Sequence, residues 1–278
     1  MPLSPLQKQI ANLKNKLKHV VKQHADHTSF INIKGCNISS EISDKNFHII
    51  AGPCAIESHE QILTIAKFLS SKNISILRGG AFKPRTSPYS FQGLGIKGLE
   101  YMQDAASKYG MITVSEVMDS MDVEVVSNYV DILQIGARNM QNYSLLKTVG
   151  KANKPVLLKR HFAATYEEFL LAAEYIMSHG NPNVILCERG IRTFEDFTRN
   201  TLDLVAVPVL QQITHLPIIT DPSHGTGLKE IIPAVTKASK AIGANGVILE
   251  VHNAPEAALS DKEQALNFDE FSQILKLI

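Results

Sequence analysis

The sequence predicts a (β/α)8 (TIM) barrel of the α/β class, preceded by a short extension with one helix and one strand. From residue 47 onward, eight short apolar runs alternate with eight helix-patterned segments. Continuous apolar runs are typical of parallel strands buried on both faces, and eight such strands are the number that closes a barrel. We expect the extension to span residues 1–46 and the barrel to span residues 47–278.

The first predicted element is an amphipathic helix over residues 4–24. Ser4 is a suitable N-cap, Pro5 suits the first helical position, and Gln7 completes a capping box. Apolar residues then recur at intervals of four and three, in a narrow heptad-like stripe. This stripe consists of Leu6, Ile10, Leu13, Leu17 and Val20. We expect it to dock on the barrel or on a second subunit.

The remaining elements follow in chain order. Residues 30–33 alternate like a strand, and residues 35–46 have the composition of turn and loop. The eight barrel strands are predicted at 47–51, 74–77, 111–114, 131–135, 155–158, 184–187, 217–220 and 246–249. Helices are predicted near 59–72, 96–109, 119–129, 142–152, 166–178, 202–214, 228–242 and 267–277. A doubly wound open sheet is the competing fold. It usually has a glycine-rich phosphate-binding motif after its first strand, and this chain lacks that motif there.

Composition bounds the class of protein. The net charge of +1 gives no reason to expect a nucleic acid or an anionic membrane surface as partner. No apolar run approaches the ~18 residues of a membrane span. The cysteines Cys36, Cys54 and Cys187 are odd in number and lack a CxxC spacing, which predicts a reducing compartment without disulfides. We therefore expect a cytoplasmic protein.

Each of the eight apolar runs is followed by a polar or reactive group. In a barrel of this kind, the catalytic groups come from the C-terminal strand ends and the loops after them. Taken singly, each cation at these ends could extend to solvent. Their convergence predicts substrates that carry at least two anionic groups. The cations are Arg78, Lys83, Arg85, Arg138, Lys159 and Arg189, and Glu116 ends the third run.

A second set of strand-end residues suits a metal ion. Cys54, His224 and Glu250 follow the first, seventh and eighth runs, which become neighbours when a barrel closes, and Asp261 can reach the same point. A thiolate, an imidazole and two carboxylates suit Mn²⁺, Fe²⁺, Co²⁺ or Zn²⁺ better than Mg²⁺ or Ca²⁺. The spacing alone does not decide whether these residues bind a metal, because Cys54 could be a buried apolar residue and His224 could cap a turn.

Four long motifs make the chain recognisable. They are Ala51-Gly-Pro-Cys-Ala-Ile-Glu57, Lys83-Pro-Arg-Thr-Ser-Pro-Tyr-Ser-Phe-Gln-Gly93, Gln134-Ile-Gly-Ala-Arg-Asn139 and Asp221-Pro-Ser-His-Gly-Thr-Gly227. Together and in this order they strongly resemble 3-deoxy-D-arabino-heptulosonate 7-phosphate (DAHP) synthases of type I beta, over roughly residues 47–278. That family is a metal-dependent barrel that condenses phosphoenolpyruvate with erythrose 4-phosphate, at the start of the shikimate pathway to the aromatic amino acids.

The resemblance also implies roles for individual residues. The implied metal ligands are Cys54, His224, Glu250 and Asp261. The residues implied to hold phosphoenolpyruvate are Arg78, Lys83, Arg138, Lys159 and Arg189, with Glu116 near it or near the attacking water. Arg85 and Thr86 would bind the phosphate of the sugar, and Lys83 would lie between the substrates. Lys83, Cys54 and His224 are the implied catalytic residues.

Two positions depart from the pattern of the family. His161 stands where a small residue is expected, and Lys262 stands where a glycine usually follows Asp261. Both lie near the expected site, so they bear on substrate affinity and on loop geometry.

The nearest alternative is the sister family, 3-deoxy-D-manno-octulosonate 8-phosphate synthase, which uses arabinose 5-phosphate. That family resembles Lys-Ala-Asn-Arg-Thr-Ser where this chain has Lys83-Pro-Arg-Thr-Ser87, which favours the four-carbon sugar. An alternative of another class is a catalytically silent barrel that binds a partner enzyme such as chorismate mutase.

Two further expectations concern assembly and regulation. We expect a homo-oligomer, either a dimer or a tetramer. An extension of 46 residues has no room for a ferredoxin-like regulatory module. We therefore expect an enzyme that Phe, Tyr, Trp, chorismate and prephenate do not inhibit, unless a regulatory partner docks on the N-terminal helix.

Overall fold

Eight parallel strands close into a barrel in the computed structural model, which describes residues 4–43, 46–83 and 87–278. The strands pair in chain order, and the last pairs with the first. They are β3 (His48–Gly52), β4 (Ile76–Arg78), β5 (Ile112–Glu116), β6 (Ile132–Ile135), β7 (Val156–Lys159), β8 (Val184–Glu188), β9 (Ile218–Thr220) and β10 (Gly246–Glu250). The predicted fold class is confirmed.

The helices between and after the strands form the outer layer. They are α2 (His59–Ser71), α3 (Ile96–Tyr109), α4 (Val123–Tyr129), α5 (Tyr143–Val149), α6 (Tyr166–Met177), α7 (Ala206–Ile213), α9 (Ile232–Ala241) and α10 (Phe268–Leu275). In the described parts of the chain, no helix combines the length and apolarity that crossing a membrane requires.

Helix α8 (Pro222–Thr226) was not predicted. Asp221 is its N-cap and accepts a hydrogen bond from the backbone N–H of His224, and Pro222 takes the first turn, where its missing N–H costs nothing. Five residues are too few to show a helical period in the sequence. The consequence for function is that His224 stands on a capped helical turn rather than on a free loop.

The barrel packs in two apolar layers. Outside the strands, apolar faces of the helices are buried, as at Phe169, Leu170 and Ile176 of α6. Inside the barrel, branched residues such as Ile76 and Ile219 form a separate cluster. Burying one such side chain contributes roughly 1.5–3 kcal/mol, so the two layers hold the strand ends in a rigid ring.

A β-hairpin closes the opposite, N-terminal end of the barrel. Strands β1 (Phe30–Ile33) and β2 (Cys36–Ser39) pair antiparallel, so the prediction of a strand at 30–33 is confirmed and that of loop at 36–39 is wrong. Lys34 and Gly35 both have positive φ, as a two-residue type I′ turn requires. A lysine at the first turn position is not the usual Asn or Asp signal, which explains the missed hairpin. Apolar side chains of the hairpin join the inner cluster, namely Ile31, Ile33 and Ile38.

The N-terminal helix is shorter than predicted. Helix α1 spans Pro5–Lys14, with the predicted Ser4–Gln7 capping box, and does not continue to residue 24. The carboxylate of Glu174 on α6 accepts hydrogen bonds from the backbone N–H groups of residues 18, 19 and 20, at 2.9–3.0 Å. Because this draws the chain onto the barrel, Leu17 and Val20 are buried in the outer apolar cluster.

Candidate active site and metal centre

A cavity of about 230 Å³ opens at the C-terminal end of the barrel. The closed sheet brings together strand ends that lie far apart in the sequence. The side chains predicted to hold phosphoenolpyruvate all line this cavity, namely Arg78, Lys83, Arg138, Lys159 and Arg189, and so does Glu116, which was predicted to lie near it or near the attacking water. Arg85 and Thr86 lie outside the described residues.

The four residues predicted as metal ligands lie together beside this cavity. One ligand atom each from Cys54, His224, Glu250 and Asp261 falls within 4.8 Å of the others. The Cys54 Sγ lies 3.2 Å from Asp261 Oδ2, and His224 Nε2 lies 3.2 Å from Glu250 Oε1. Cys54 follows β3 and Glu250 ends the adjacent strand β10, while His224 comes from α8 and Asp261 from the loop after β10.

The protonation of this cluster fits a divalent cation. His224 Nδ1 lies 2.8 Å from the carboxylate of Asp221, so Nδ1 carries the proton. Burial lowers the pKa of His224, which leaves Nε2 as a lone pair facing the carboxylate oxygens of Glu250 and Asp261. Burial, with Glu250 adding to it, raises the pKa of Cys54 to about 12. A metal ion would replace the thiol proton and relieve the repulsion between the facing lone pairs.

Lys83 lies between the four predicted metal ligands and the cavity. Its Nζ lies 2.9 Å from Cys54 Sγ and 3.1 Å from the carbonyl oxygen of Cys54. Burial lowers the pKa of Lys83, but its electrostatic interactions with the Cys54 sulfur and with the Glu250 carboxylate outweigh burial and raise it. The side chain therefore stays charged although it is buried.

Glu250 is held on both oxygens. Arg78 Nη1 donates to Oε1 at 2.9 Å and also to the carbonyl oxygen of Pro53, while Gln264 Nε2 donates to Oε2 at 2.7 Å. Arg78 and Glu250 are both buried, so this ion pair is shielded from solvent. The positive charge of Arg78 is thus largely compensated before any ligand binds.

Lys159 is compensated in the same way. Its Nζ lies 2.6 Å from Oδ2 of Asp221, and Asp221 is fully buried. Burial raises the pKa of Asp221, but His224 and Lys159 outweigh burial and hold it well below its usual range. The same carboxylate therefore serves a predicted metal ligand and a predicted substrate-binding lysine.

The uncompensated positive charge lies on the loops after β6 and β8. Within the described residues, Arg138, Arg189 and Arg192 form no ion pair with a carboxylate, and all three line the cavity. Arg189 instead donates to the side-chain oxygen of Asn200 at 2.6 Å and to the carbonyl oxygen of His224 at 3.3 Å. This side of the cavity is the part best suited to a phosphate group.

Glu116 is the buried acid of the cavity wall. Gln134 Nε2 donates to its carboxylate at 3.3 Å. A Cβ at Gly136 would lie only 2.1 Å from Glu116 Oε1, so glycine is required for Glu116 to hold this position. The carboxylate is thereby kept against the cavity instead of turning to solvent.

Sequence reasoning missed several cavity residues. These are Gln134, Phe162, Arg192, Arg199 and Asn200. Arg192 lies four residues after β8, so the rule of strand ends and following loops could have included it. Arg199 had no such signal, because the antiparallel pairing of Ile191 with Thr201 brings it back to the cavity.

The two departures from the family pattern lie at the margin of the site. The ring of His161 packs on Phe162 at 4.0 Å between centroids, and the guanidinium of Arg192 lies 4.2 Å from the Phe162 ring centroid. His161 therefore supports a cavity residue. Lys262 is exposed and follows Asp261, whose φ of +49° is left-handed.

Comparison with known proteins places these features in a family. A sequence profile of the DAHP synthetase I family matches residues 30–278. Phospho-2-dehydro-3-deoxyheptonate aldolase of Thermotoga maritima is 55% identical over 236 residues, which cover 85% of this chain and 70% of the relative. 2-Dehydro-3-deoxyphosphooctonate aldolase of Legionella pneumophila (strain Corby) is 31% identical, over 84% of this chain and 90% of the relative.

Solved structures agree with the sequence comparison. The crystal structure of the DAHP synthase of Thermotoga maritima matches with a TM-score of 0.89 and 51% identity, over 94% of this chain and 75% of that chain. A truncated form of the 3-deoxy-D-arabino-heptulosonate 7-phosphate synthase of Thermotoga maritima matches with a TM-score of 0.85 and 47% identity, over 92% and 93% of the two chains. The chain described here belongs to the DAHP synthetase I family.

Proposed function

We propose that the cavity at the barrel mouth is the active site of a 3-deoxy-7-phosphoheptulonate synthase. The chain is a transferase that condenses phosphoenolpyruvate with erythrose 4-phosphate and water to give DAHP and phosphate. The observation that carries the residue assignment is the four-ligand cluster of Cys54, His224, Glu250 and Asp261 beside a cavity lined with cations. An aldehyde acceptor and a phosphorylated enol anion are the kinds of ligand that these two features suit.

Phosphoenolpyruvate would lie with its phosphate toward the uncompensated cations. Arg138 and Arg189 have no carboxylate partner among the described residues, so a phosphate dianion gains most there. Arg78 and Lys159 are already paired with Glu250 and Asp221 and suit the singly charged carboxylate better. This orientation would place the enol carbon toward Lys83 and the four candidate metal ligands.

The sugar phosphate would enter from the side of the loop that follows β4. Arg85 and Thr86 are the proposed ligands of its phosphate, on the family resemblance. Lys83, 2.9 Å from Cys54 Sγ, would then lie between the two substrates. Two phosphorylated anions repel each other, and fixed cations in a buried site offset that repulsion without having to reorganise.

The bond changes balance with one water. Carbon C3 of phosphoenolpyruvate forms a bond to the aldehyde carbon of erythrose 4-phosphate, whose oxygen takes up a proton. Water adds at C2, and its proton is released. The resulting hemiketal phosphate then loses phosphate by C–O cleavage, which leaves the keto group of DAHP. Glu116, held against the cavity by Gln134, is the proposed group that orients the water.

Cys54, His224, Glu250 and Asp261 are the residues that would hold a divalent metal ion. When bound, Mn²⁺, Fe²⁺, Co²⁺ or Zn²⁺ supplies a Lewis acid that polarises the aldehyde. The chain prepares this site by keeping Nε2 of His224 unprotonated and by fixing Glu250 between Arg78 and Gln264.

A second candidate function has a specific observation behind it. The relative from Legionella, at 31% identity, is named for the eight-carbon product, and the same barrel chemistry would serve arabinose 5-phosphate. The 55% identity to the heptonate enzyme of Thermotoga favours the four-carbon aldehyde. A homo-oligomer, a regulatory partner such as chorismate mutase and a cytoplasmic location stay predictions.

The test is product formation with each aldehyde offered separately. Purified protein with Mn²⁺ and phosphoenolpyruvate should release phosphate at least tenfold faster with erythrose 4-phosphate than with arabinose 5-phosphate. Exposed Glu124, on α4, offers a matched control, and Glu124→Gln should leave the preference unchanged. Equal or faster turnover of the five-carbon sugar would assign the chain to the octulosonate reaction.

A further inference from the structure

One buried carboxylate connects the metal cluster to the substrate cavity. Oδ2 of Asp221 lies 2.8 Å from His224 Nδ1 and 2.6 Å from Lys159 Nζ, while Oδ1 accepts the backbone N–H of His224 at 2.9 Å. Asp221 is fully buried, so solvent screens these contacts only weakly. His224 and Lys159 thus share a single oxygen atom from two sides.

Sharing one oxygen makes the two contacts interdependent. A cation at Nε2 draws electron density from the imidazole, which makes the Nδ1–H of His224 a stronger donor to Asp221. The carboxylate then neutralises Lys159 less, so more of the ammonium charge is available to an anion in the cavity. In the reverse direction, an anion that binds Lys159 leaves more of the carboxylate to His224, which becomes a better metal ligand.

We infer that Asp221 is a positioning residue that makes metal binding and phosphoenolpyruvate binding reinforce each other. This inference rests on the proposed function, since it takes Lys159 as a ligand of phosphoenolpyruvate and His224 as a ligand of the metal. By thermodynamic linkage, the factor by which the metal raises phosphoenolpyruvate affinity equals the factor by which phosphoenolpyruvate raises metal affinity. Typical coupling factors are about 5–150.

Asparagine at this position tests the sharing directly. Asp221→Asn keeps the shape of the side chain but has one acceptor oxygen and one amide donor. If that oxygen faces His224 Nδ1 and Lys159, the amide donor opposes the backbone N–H of His224. If it faces the backbone, both side-chain contacts are lost. Either way the carboxylate charge that links the two groups is gone.

The experiment measures binding without turnover. The dissociation constant of phosphoenolpyruvate is determined by calorimetry on chelator-treated and on Mn²⁺-saturated protein, with no aldehyde present. In the wild type, Mn²⁺ should lower the dissociation constant of phosphoenolpyruvate at least fivefold. In Asp221→Asn the effect should fall below twofold, and Mn²⁺ itself should bind about 10–100-fold more weakly, as for other outer-shell partners of metal-bound histidines.

A control variant separates this link from the loss of any carboxylate near the barrel mouth. Asp203→Asn removes a carboxylate that bonds to Arg160 and Tyr166 and contacts neither His224 nor Lys159. Its coupling factor should equal that of the wild type. Full coupling in Asp221→Asn, or none in a wild type that binds both ligands, would overturn the inference. A wild type that fails to bind phosphoenolpyruvate even with Mn²⁺ would instead refute the proposed function.

A second variant keeps the test decisive if Asp221→Asn does not fold. Lys159→Met removes the competing partner and leaves the whole carboxylate to His224, so Mn²⁺ should bind at least threefold more tightly in the absence of substrate. Arg138→Gln removes a cavity cation that does not contact Asp221 and measures the effect of charge through space. Equal changes in Mn²⁺ affinity in the two variants would contradict the shared-carboxylate link.

Discussion

Loss of Arg160 should destabilise the barrel, because this arginine is buried and pairs with a buried carboxylate. It follows β7, is 4% exposed, and its Nη1 donates to Glu188 at 2.8 Å and to Asp203 at 2.9 Å. Its Nε and Nη2 both donate to the carbonyl oxygen of Ala164. Glu188 is fully buried, and its other described partner is the backbone N–H of Gly190. Arg160→Met keeps the apolar stem and removes the charge.

The expected loss follows from the charge left behind. Breaking a buried ion pair on one side costs about 3–5 kcal/mol, because the remaining ion is uncompensated. A chain of 278 residues has an unfolding entropy of roughly 0.6 kcal/mol per kelvin. The melting temperature should therefore fall by about 5–9 °C.

The loss of stability in Arg160→Met should also depend on pH. Burial raises the pKa of Glu188, and the charge of Arg160 lowers it in part. Without Arg160 the pKa in the folded state rises further above its unfolded value, so the folded variant retains a proton that the wild type has released. The variant therefore loses stability relative to the wild type as pH rises from the wild-type pKa of Glu188 to that of the variant. The slope is at most about 1.4 kcal/mol per pH unit.

Thermal melts followed by circular dichroism at two pH values measure both effects. The double variant Arg160→Met with Glu188→Gln removes both charges and keeps an acceptor for Gly190, so it should recover to within about 2–4 °C of the wild type. Lys97→Met is the control, since its exposed pair with Glu100 contributes little. The reasoning is refuted if Arg160→Met melts within 2 °C of the wild type, or if the double variant is no better.

Two further predictions concern the site itself. Cys54→Ala should bind Mn²⁺ at least tenfold more weakly in equilibrium dialysis, because a methyl group cannot replace a thiolate ligand; unchanged affinity would remove Cys54 from the ligand set. Arg192→Gln should raise the KM for phosphoenolpyruvate about threefold to tenfold with a smaller effect on kcat, because it removes an uncompensated cation of the cavity wall. The control is Lys72→Gln, which removes a positive charge at the C-cap of α2 from a residue that does not line the cavity. Equal KM values for phosphoenolpyruvate in the two variants would contradict the role of Arg192.

The sequence by itself determined the barrel and the end of it that carries the chemistry. Strands buried on both faces must be apolar throughout, and helices on the outside must be apolar on one face. Both patterns can therefore be recognised within a short stretch of sequence. The predicted helix at 96–109 coincides with α3, and the short predicted strands fall within one or two residues of β3 to β10. Once eight strands close, Cys54 and Glu250 must lie at the ends of neighbouring strands, which explains why the sequence could predict that these two candidate ligands lie close together.

Only the tertiary structure decided how polar groups are paired. Beyond α1, which ends at Lys14, the backbone N–H groups of residues 18 to 20 donate to Glu174, more than 150 residues away. Asp221 lies 62 residues from Lys159, and no periodicity in the sequence marks their contact. The physical reason is that burial imposes a repeating pattern on a chain segment, whereas an ion pair or a hydrogen bond joins single atoms whose positions exist only after the sheet has closed.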